Sequence, residues 1–309
     1  AEYAEQMKIL SKMPKLYQIL SDYDLPLIPV LYEMEKAGVL IDWDCFKGLK
    51  KEFTEKVTGL EQKIYSVCGV NFNVNSPIQL SKVLFEDLAL PTKGIKKTTR
   101  GFSTGASELE KIEGQHPVIE MIKEYREVSK LLSTYILPLP ELAGEDGRIR
   151  TTFTQNVTAT GRLSSVNPNL QNIPVRSEDG KRIRTGFVAG SGKVFVSADY
   201  AQFELRLAAA LAGDQKLIES FAQNIDIHTK TAAEVFGIKM EDVSKAQRRA
   251  AKVINFGVLY GMSPKGLSDA TGMSFGEAKK FISDYFEVRR PIKNYLDKTL
   301  DQARKEGYV

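Results

Sequence analysis

The stretch KAQRRAAKVINFGVLYG, residues 245–261, decides how the rest of this sequence is interpreted. On an α-helix, side chains that recur every four residues form one slowly winding stripe. Four residues of the stretch recur in this way: Arg248, Lys252, Phe256 and Tyr260. This cationic-aromatic stripe is positively charged in its first half and aromatic in its second. Ser244 with Gln247 three residues on is typical of a capping box that starts a helix, and Gly261 predicts its end.

Two cations followed by two rings suit an elongated ligand with a polyanionic end and a flat apolar end. A nucleoside triphosphate has this form, since guanidinium and ammonium groups bind phosphates and rings pack on sugar and base. The alternative is an amphipathic helix with a solvated basic face. The aromatic half of the stripe favours the nucleotide ligand.

The composition predicts a globular protein without a membrane partner. The 309 residues, 42% of them hydrophobic, suffice for a sizeable core and two or three subdomains. No apolar run approaches the length of a membrane span, so a soluble, cytoplasmic protein is expected. Cys45 and Cys68, with two histidines, form neither a zinc pattern nor a disulfide framework, and small buried hydrophobes are their expected role. The net charge of +4 means that any nucleic-acid surface must come from clustering Lys and Arg on one side.

The first 140 residues are predicted to be nearly all helix. Apolar residues at steps of three or four, with capping and proline signals, indicate the individual helices. The expected elements are one helix and a loop over residues 1–23, a helix from Asp24 to Lys36 that stops at Gly38, a long amphipathic helix from Phe46, a helix capped by Ser76, and a helix from Pro117 to near Pro138.

Residues 91–106 interrupt this helical pattern. They carry four cations and three glycines and offer almost nothing to bury. An exposed, mobile tip is predicted, which is either simply solvated or binds a phosphate backbone without reading base sequence.

After Gly144 the composition changes. Residues 148–158 alternate and are rich in β-branched side chains, which predicts a strand. Residues 159–176 then form a polar stretch too long for an ordinary turn, and its Arg, Asn and Gln side chains favour contacts with phosphates and base edges.

A carboxylate follows the next apolar segment. Residues 193–199 predict a short buried strand ending in Asp199, and a helix is expected from Tyr200 to Leu211. An open sheet typically presents a metal ligand or general base at such a strand end. The alternative is that Asp199 is an ordinary acid at a helix N-terminus.

Three of these segments together resemble the family-A DNA polymerases of the bacterial repair type. They are TGRLSS with NLQNIPVR within residues 160–176, DYAQFELR at residues 199–206, and RRAAKVINFGVLYG at residues 248–261. The resemblance extends from about residue 24 to the end. It implies an α+β, mostly helical fold shaped as a right hand, with a helical thumb, a partial palm β-sheet and helical fingers.

The resemblance also implies domain boundaries. Residues 24–138 would be the thumb, residues 139–212 the N-terminal part of the palm, and residues 213–309 the fingers. Residues 1–23 would be a remnant of the last helix of an exonuclease-like domain.

The implied activity is that of a DNA-directed DNA polymerase, a nucleotidyltransferase that moves a deoxynucleotide from a dNTP to a primer 3′-hydroxyl. Two Mg²⁺ ions would assist, with Asp199 and the carbonyl of Tyr200 as ligands. Asp199, Arg248 and Lys252 would be catalytic. The partners would be primer-template DNA and dNTP, and the location the cytoplasm, at the nucleoid.

The resemblance carries over the nucleotide-binding residues one by one. They are Tyr200, Gln202, Glu204, His228, Arg248, Lys252, Phe256 and Tyr260. Glu204 would be the steric gate that excludes a ribose 2′-hydroxyl. Phe256 would pack under the sugar and discriminate against dideoxynucleotides, and Tyr260 would close the pocket beside the templating base.

The residues implied to contact DNA are Arg126, Lys130, Arg162, Asn169, Gln171, Asn172, Arg176 and Gly261. Arg126 and Lys130 match thumb positions that bind duplex phosphates. Arg162, Asn169, Gln171 and Arg176 would read the minor groove and the primer end, where acceptors common to all base pairs reward correct geometry rather than sequence.

The sequence also departs from the family pattern. Ala201 and Phe203 stand where the family usually has Ser and Ile, and Phe203 neighbours the gate, so an altered nucleotide pocket is expected. The family's third motif, His-Asp-Glu on a palm hairpin, is expected beyond Val309. The second metal site would then be incomplete in this chain, which alone would be impaired.

We therefore expect a fragment, or one half of a split enzyme completed by a second polypeptide that carries the C-terminal palm motif. A catalytically silent module that binds primer-template and nucleotide is the alternative, although such a module has no use for a steric gate. A helical protein-interaction domain would explain residues 24–138 but not the three motifs.

Overall fold

The computed structural model describes residues 2–175 and 177–307. The chain divides into an N-terminal unit, Ala1–Val196, and a C-terminal unit, Ser197–Val309. Helices predominate in both, and the short strands lie in the N-terminal unit, as expected for a mostly helical α+β protein.

The N-terminal unit carries the first nine helices and all the strands among the described residues. The helices are α1 (Glu2–Leu10), α2 (Pro14–Ile19), α3 (Leu25–Ala37), α4 (Trp43–Cys68), α5 (Pro77–Lys82), α6 (Ala106–Leu109), α7 (Pro117–Leu131), α8 (Pro138–Glu141) and α9 (Glu178–Thr185). The strands are β1 (Val39–Ile41), β2 (Lys97–Thr98), β3 (Gly101–Phe102), β4 (Arg148–Ile149), β5 (Thr152–Thr154), β6 (Ser164–Val166) and β7 (Phe187–Val188). Single π-helical turns follow α2, α5 and α7.

The core of the N-terminal unit forms where α4 packs on α7. The Asp42 carboxylate accepts the Cys45 N–H at 2.9 Å and starts α4, and Gly69 ends it with a φ of 69°. Buried side chains on α4 recur at helical spacing: Phe46, Leu49, Phe53, Leu60 and Ile64. On α7 the buried side chains are Val118, Ile119, Ile122, Tyr125, Val128 and Leu131. Each fully buried side chain of this size contributes about 1.5–3 kcal/mol to stability. The predicted long amphipathic helix and the helix from Pro117 are confirmed.

A small antiparallel sheet in the order β4-β1-β7 lies beside this core. Leu40 pairs with Arg148 on one side, and Ile41 pairs with Phe187 on the other. The Phe187 ring meets Phe46 edge-on, with centroids 6.0 Å apart. The sheet therefore joins one strand from residues 24–138 to two from residues 139–212.

The predicted buried strand over residues 193–199 is wrong. The segment forms no regular element, and Val194, Phe195 and Val196 are 82%, 61% and 84% exposed. A strand needs a hydrogen-bonded neighbour, because its backbone groups are satisfied only across a ladder. Among the described residues no strand pairs with this segment. The alternating apolar pattern indicated that residues 193–199 favour an extended backbone, but such a pattern does not show whether a neighbouring strand is available.

Two other local predictions need correction. Residues 1–23 are not one helix and a loop, because α1 ends at Leu10, Pro14 starts α2, and a π-helical turn leads directly into α3. Residues 148–158 form two short strands, β4 and β5, that belong to different sheets.

The polar segments are also more ordered than the sequence suggested. Within residues 91–106, β2 and β3 form a hairpin, Ile95 is buried, and the Phe102 ring lies 5.4 Å from Phe85. Within residues 159–176, β6 pairs with β5.

The C-terminal unit is helical throughout its described part. It comprises α10 (Phe203–Ala212), α11 (Gln215–Ala222), α12 (Ile227–Phe236), α13 (Lys245–Gly257), α14 (Pro264–Thr271), α15 (Phe275–Val288) and α16 (Arg290–Glu306). Short 3₁₀ turns lie at Met240–Asp242 and Val258–Tyr260. The predicted helix after Asp199 is thus present, but it starts at Phe203 rather than Tyr200.

Two apolar clusters hold the C-terminal unit together. The first joins α12, α13, α14 and α15 around Ala232, Ala250, Ala251, Ile254, Leu267, Phe281 and Tyr285. The second joins α10, α11, α12 and α16 around Leu205, Ala209, Leu217, Phe221, Ile227 and Ile292. The fully buried Arg289 forms an ion pair with Glu234 of α12. Small alanines on α12 and α13 line this contact. Asp226 at the start of α12 reaches Arg248 of α13, and His228 reaches Asn255 near the end of α13.

Among the described residues, no helix combines the length and the apolar character that crossing a membrane requires.

Candidate functional site

Helix α13 presents Arg248, Lys252 and Phe256 of the cationic-aromatic stripe as the sequence predicted, whereas Tyr260 lies in the 3₁₀ turn Val258–Tyr260 that follows the helix. Ser244 Oγ accepts the Gln247 N–H at 3.2 Å, and Gln247 Oε1 accepts the Ser244 N–H at 2.9 Å, so the capping box is complete. Gly261, with a φ of 68°, follows the 3₁₀ turn that ends the helix. The buried face consists of Ala250, Ala251, Ile254, Asn255 and Gly257. Of the stripe, Arg248, Lys252 and Tyr260 are exposed and Phe256 is half-buried.

The cationic half of the stripe is tied to the start of α12. Arg248 Nε donates to Asp226 Oδ2 at 2.8 Å. Lys252 is exposed one turn further on and forms no ion pair within residues 2–175 and 177–307. One held and one unpaired cation thus stand side by side on the surface of α13.

Asp226 is the N-cap of α12 as well as the partner of Arg248. Its Oδ1 accepts the N–H groups of His228 at 3.1 Å and Thr229 at 3.4 Å, and its Oδ2 also accepts the Thr229 hydroxyl at 2.7 Å. Burial alone would raise the pKa of Asp226. The hydrogen bonds from Arg248 and Thr229 outweigh that effect and hold the pKa well below its ordinary value. The carboxylate is therefore ionised whenever the chain is folded near neutral pH.

His228 lies under the stripe rather than on the surface, with only 4% of its area exposed. Its Nδ1 is 3.1 Å from Asn255 Nδ2, and since an amide nitrogen can only donate, Nδ1 accepts. Burial lowers the pKa of His228; the negative charge of Asp226 opposes this, and the charges of Arg248 and Lys252 act with burial, so that the net shift is downward. The ring is therefore neutral near pH 7, and its centroid lies 5.7 Å from that of Phe256.

The aromatic end of the stripe contacts α10. The Tyr260 hydroxyl donates to Glu204 Oε1 at 2.6 Å. Two residues with implied roles as pocket wall and steric gate are thus in direct contact. Next to Glu204, the ring of Phe203 is half exposed and lies 5.4 Å from that of Tyr200.

The turn before α10 has an unusual backbone. Gln202 adopts a φ of 54°, a left-handed conformation that side chains other than glycine rarely take. Its Oε1 is buried without a hydrogen-bond partner in the described part of the chain. Such a residue costs of order 1–3 kcal/mol and often lies beside a functional site.

Asp199 is exposed and has no hydrogen-bond or ion-pair partner among the described residues. Nor do those residues contain a group of three His, Cys, Asp or Glu side chains that could hold a metal ion. The Asp199 carboxylate and the Tyr200 carbonyl are nevertheless hard oxygen donors, and Mg²⁺ is usually held by one or two carboxylates together with substrate phosphates and water. The donor set fits a Mg²⁺ ion that a triphosphate brings with it.

The DNA contacts implied for the thumb lie in the N-terminal unit. Arg126 is half-buried and donates to the carbonyl and, at 3.2 Å, to the hydroxyl of Thr104. Burial lowers the pKa of Arg126, although a guanidinium remains charged at any ordinary pH. In this structure Arg126 secures the loop after β3, whereas Lys130, one turn on, is exposed.

The other implied DNA contacts surround β6. Their side chains are exposed in the described structure: Arg162, Asn169, Gln171 and Asn172. Asn169 Oδ1 accepts the Gln171 N–H at 3.0 Å, and Gln171 Nε2 donates to the Leu163 carbonyl at 3.2 Å. The Tyr135 hydroxyl donates to the carbonyl of Asn172 at 2.6 Å and ties this loop to the core. Arg176, which was also predicted, lies outside the described residues.

Two residues of the site were missed by the sequence analysis. Asp226 was detectable, since an Asp before an apolar helical pattern is a common N-cap, but its contact with Arg248 spans 22 positions of the chain. In the sequence, Asn255 cannot be distinguished from the other polar residues of α13. Its burial at 1% and its bond to His228 depend on how α12 packs, which no local pattern indicates.

Comparison with known proteins gives consistent results. A family profile described as DNA polymerase family A matches residues 44–309. The chain is 47% identical to a DNA polymerase I of Caldicellulosiruptor bescii over 94% of its length, and 46% identical to the thermostable DNA polymerase I of Thermus aquaticus over 96%. It covers 34% and 36% of those two proteins, about a third of the length of each.

A solved structure matches nearly the whole chain. It is the POL domain of Pol1 from M. smegmatis, in complex with DNA primer-template and dNTP. The TM-score is 0.86 at 38% identity, covering 97% of this chain and 53% of that one. The likeness supports the mostly helical polymerase fold expected from the sequence.

Proposed function

Because the chain belongs to DNA polymerase family A, we propose that it carries the nucleotide-binding and much of the primer-template-binding surface of a DNA-directed DNA polymerase. The reaction is transfer of a deoxynucleotide from a dNTP to a primer 3′-hydroxyl. The observation that carries the proposal is the cationic-aromatic stripe of α13 and the turn after it, in which Arg248, Lys252 and Tyr260 are exposed, Phe256 is half-buried and the opposite face of the helix is packed.

The stripe accounts for the two ends of a dNTP. Arg248 and Lys252 bind the triphosphate, where a planar fork and a point charge complement each other. His228, buried and neutral, lies with its ring centroid 5.7 Å from that of Phe256, and its Nε2 carries the ring proton because Nδ1 accepts from Asn255. Phe256 and Tyr260 offer their faces to sugar and base.

Glu204 sets the choice of sugar in this proposal. The hydroxyl of Tyr260 holds its carboxylate at 2.6 Å, so its position is fixed by a charge-assisted bond. A rigid carboxylate at that place excludes a 2′-hydroxyl more strictly than a mobile one. Phe203, whose ring is tilted against that of Tyr200 with centroids 5.4 Å apart, adds bulk next to the gate.

Mg²⁺ is the metal that suits this site. Asp199 and the Tyr200 carbonyl would hold it together with the phosphates, and it would supply charge neutralisation at the transferring phosphoryl group. In this proposal Arg248 and Lys252 orient the triphosphate, and Glu204 and Phe256 position the sugar. A second carboxylate, as the two-ion scheme requires, is proposed to come from a C-terminal palm segment.

We assign the primer-template surface to the N-terminal unit. Residues 24–138 form the thumb in this proposal, and Lys130 together with the basic hairpin of β2 and β3 contacts duplex phosphates. The exposed amides around β6 contact the minor groove. Residues 213–309 form the fingers, and residues 139–212 belong to the palm.

The test is primer extension on a short primer-template with four dNTPs and Mg²⁺. The chain is assayed alone and with a separately made C-terminal palm segment of a family-A relative. Extension in either sample supports polymerase function, and extension only on mixing assigns the second carboxylate to the added segment. If neither sample extends a primer while dNTP and DNA still bind, the chain is a silent binding module and the catalytic proposal is wrong.

A further inference from the structure

The link between α12 and α13 suggests a role for a residue that the polymerase motifs do not include. We propose that Asp226 is a positioning residue: it fixes the guanidinium of Arg248 by its Nε edge so that the two terminal nitrogens face a triphosphate. The inference rests on the proposed function, since it concerns how that nucleotide site is built.

The first support for this role is that Asp226 binds Nε of Arg248 and not one of its two terminal nitrogens. It accepts from Nε at 2.8 Å, and within the described residues Nη1 and Nη2 have no hydrogen-bond partner. A guanidinium carries five donors in a rigid plane, so a carboxylate on the Nε edge leaves the end with two parallel N–H groups available. That end is the one that suits bidentate phosphate binding.

The second support is that Asp226 is itself held rigidly. Its two oxygens accept three further hydrogen bonds from His228 and Thr229 at the start of α12. The helix that carries His228 is therefore fixed to the cation that starts the stripe. One carboxylate thus joins the side chain of Arg248 on α13 to the backbone of His228 on α12.

The alternative is that Asp226 weakens nucleotide binding, because a carboxylate repels phosphate and competes with it for the guanidinium of Arg248. Both side chains are partly exposed, Arg248 at 47% and Asp226 at 40%, so solvent screens the repulsion. A carboxylate that competes with phosphate would also be expected to bind Nη1 and Nη2 of Arg248, the nitrogens that phosphate needs. Asp226 takes Nε instead, which favours positioning.

The substitution Asp226→Asn separates these roles. The amide oxygen still caps α12, since Asn is as good an N-cap as Asp, while the NH₂ that replaces Oδ2 cannot accept from Arg248. Positioning predicts that affinity for dATP falls about tenfold, the weight of roughly one hydrogen bond to a charged group. Competition predicts that affinity rises.

A double-mutant cycle tests whether the effect acts through Arg248. The affinity for dATP is measured by calorimetry for the wild type, Asp226→Asn, Arg248→Ala and the double variant. The loss on Asp226→Asn should vanish when Arg248 is absent. Asp269→Asn is the matched control, because it removes one exposed carboxylate paired with Lys265 elsewhere in the same unit, and its affinity should equal that of the wild type.

The outcomes are distinguishable. Tighter or unchanged binding by Asp226→Asn, or an equal loss with and without Arg248, overturns the positioning role and leaves the proposed function in place. A wild-type chain that binds no dATP overturns the proposed function and this assignment with it.

Discussion

At the scale of single residues, His228 offers a test of the site that needs no ligand. Burial lowers its pKa, so the folded chain takes up a proton less readily than the unfolded chain, whose histidine titrates near 6.5. As the pH falls from about 7.5 to about 5.5, the unfolded state gains a proton that the folded state resists, and the free energy of unfolding must decrease.

The variant His228→Asn isolates this effect, because its amide oxygen can still accept from Asn255 but does not titrate. Urea unfolding at the two pH values is the measurement. We expect the wild type to lose clearly more stability than the variant over that window, with His116 present in both. An equal loss would mean that His228 is not held neutral by the fold.

The residue scale also shows which parts of the site the sequence could predict. Arg248 and Lys252 were predictable because one helical period places them on one exposed face, whereas the position of Tyr260 depends on the 3₁₀ turn that follows the α-helix. The bonds from Asp226 to Arg248 and from Asn255 to His228 were not, since each depends on how α12 packs against α13. The resemblance named Arg248 and His228, but it did not name the Asp226 carboxylate and the Asn255 amide that form hydrogen bonds with them.

At the scale of the element, the packing of the C-terminal end of α13 can be tested with two glycines. A Cβ on Gly257 would come within 2.9 Å of the Cβ of Met262, whereas a Cβ on Gly59, exposed in the interior of α4, would meet nothing within 4 Å. Overpacking costs about 1–3 kcal/mol, and alanine in a helix returns at most about 1 kcal/mol.

Gly257→Ala should therefore lower the free energy of unfolding, by up to about 2 kcal/mol. Gly59→Ala should raise it by about 0.5–1 kcal/mol. Urea denaturation of both variants beside the wild type measures the difference. If both substitutions shift stability in the same direction, the close packing of α13 on the turn after it is wrong.

Helices were predicted more reliably than strands, for a physical reason. Caps such as Asp42 and Ser244 and the spacing of buried residues on α4 are local, so the sequence carries them. A strand depends on a partner that can lie anywhere in the chain. Residues 193–199 have the pattern of a strand but no neighbour among the described residues, and β1 pairs with strands more than a hundred positions away.

At the scale of the whole molecule, the exposed segment at the junction of the two units should control proteolysis. Residues 191–201 are exposed and outside helices and strands, and the division of the chain falls at Val196. Limited digestion should therefore cut first in this segment, with trypsin at Lys193 and chymotrypsin at Phe195 or Tyr200.

Mass spectrometry of the first fragments checks this expectation. The variant Lys193→Gln should remove the early tryptic cut and leave the chymotryptic ones. If the first cuts fall within residues 91–106 instead, then the glycine-rich tip is the more accessible segment and residues 191–201 are protected in solution.

The fold class was predictable from the sequence, but the division of the chain was not. The predicted helices and the predicted strands after Gly144 indicated a mostly helical α+β fold, and the three motifs indicated that it is a polymerase fold. The boundary between the two units falls in the sequence after Val196, within a segment whose apolar pattern predicted burial. Burial is a property of what covers a segment, and the sequence of the segment cannot specify that.

The central claim is that α13 binds the triphosphate of a nucleotide, and the most direct test is a calorimetric titration of the chain with dATP. Lys252→Ala is compared with Lys279→Ala, which removes an equal charge from an exposed position on α15. Loss of a charge-assisted phosphate contact should weaken dATP binding about tenfold or more for Lys252→Ala and leave Lys279→Ala like the wild type. Equal affinity of the wild type and Lys252→Ala would contradict the account.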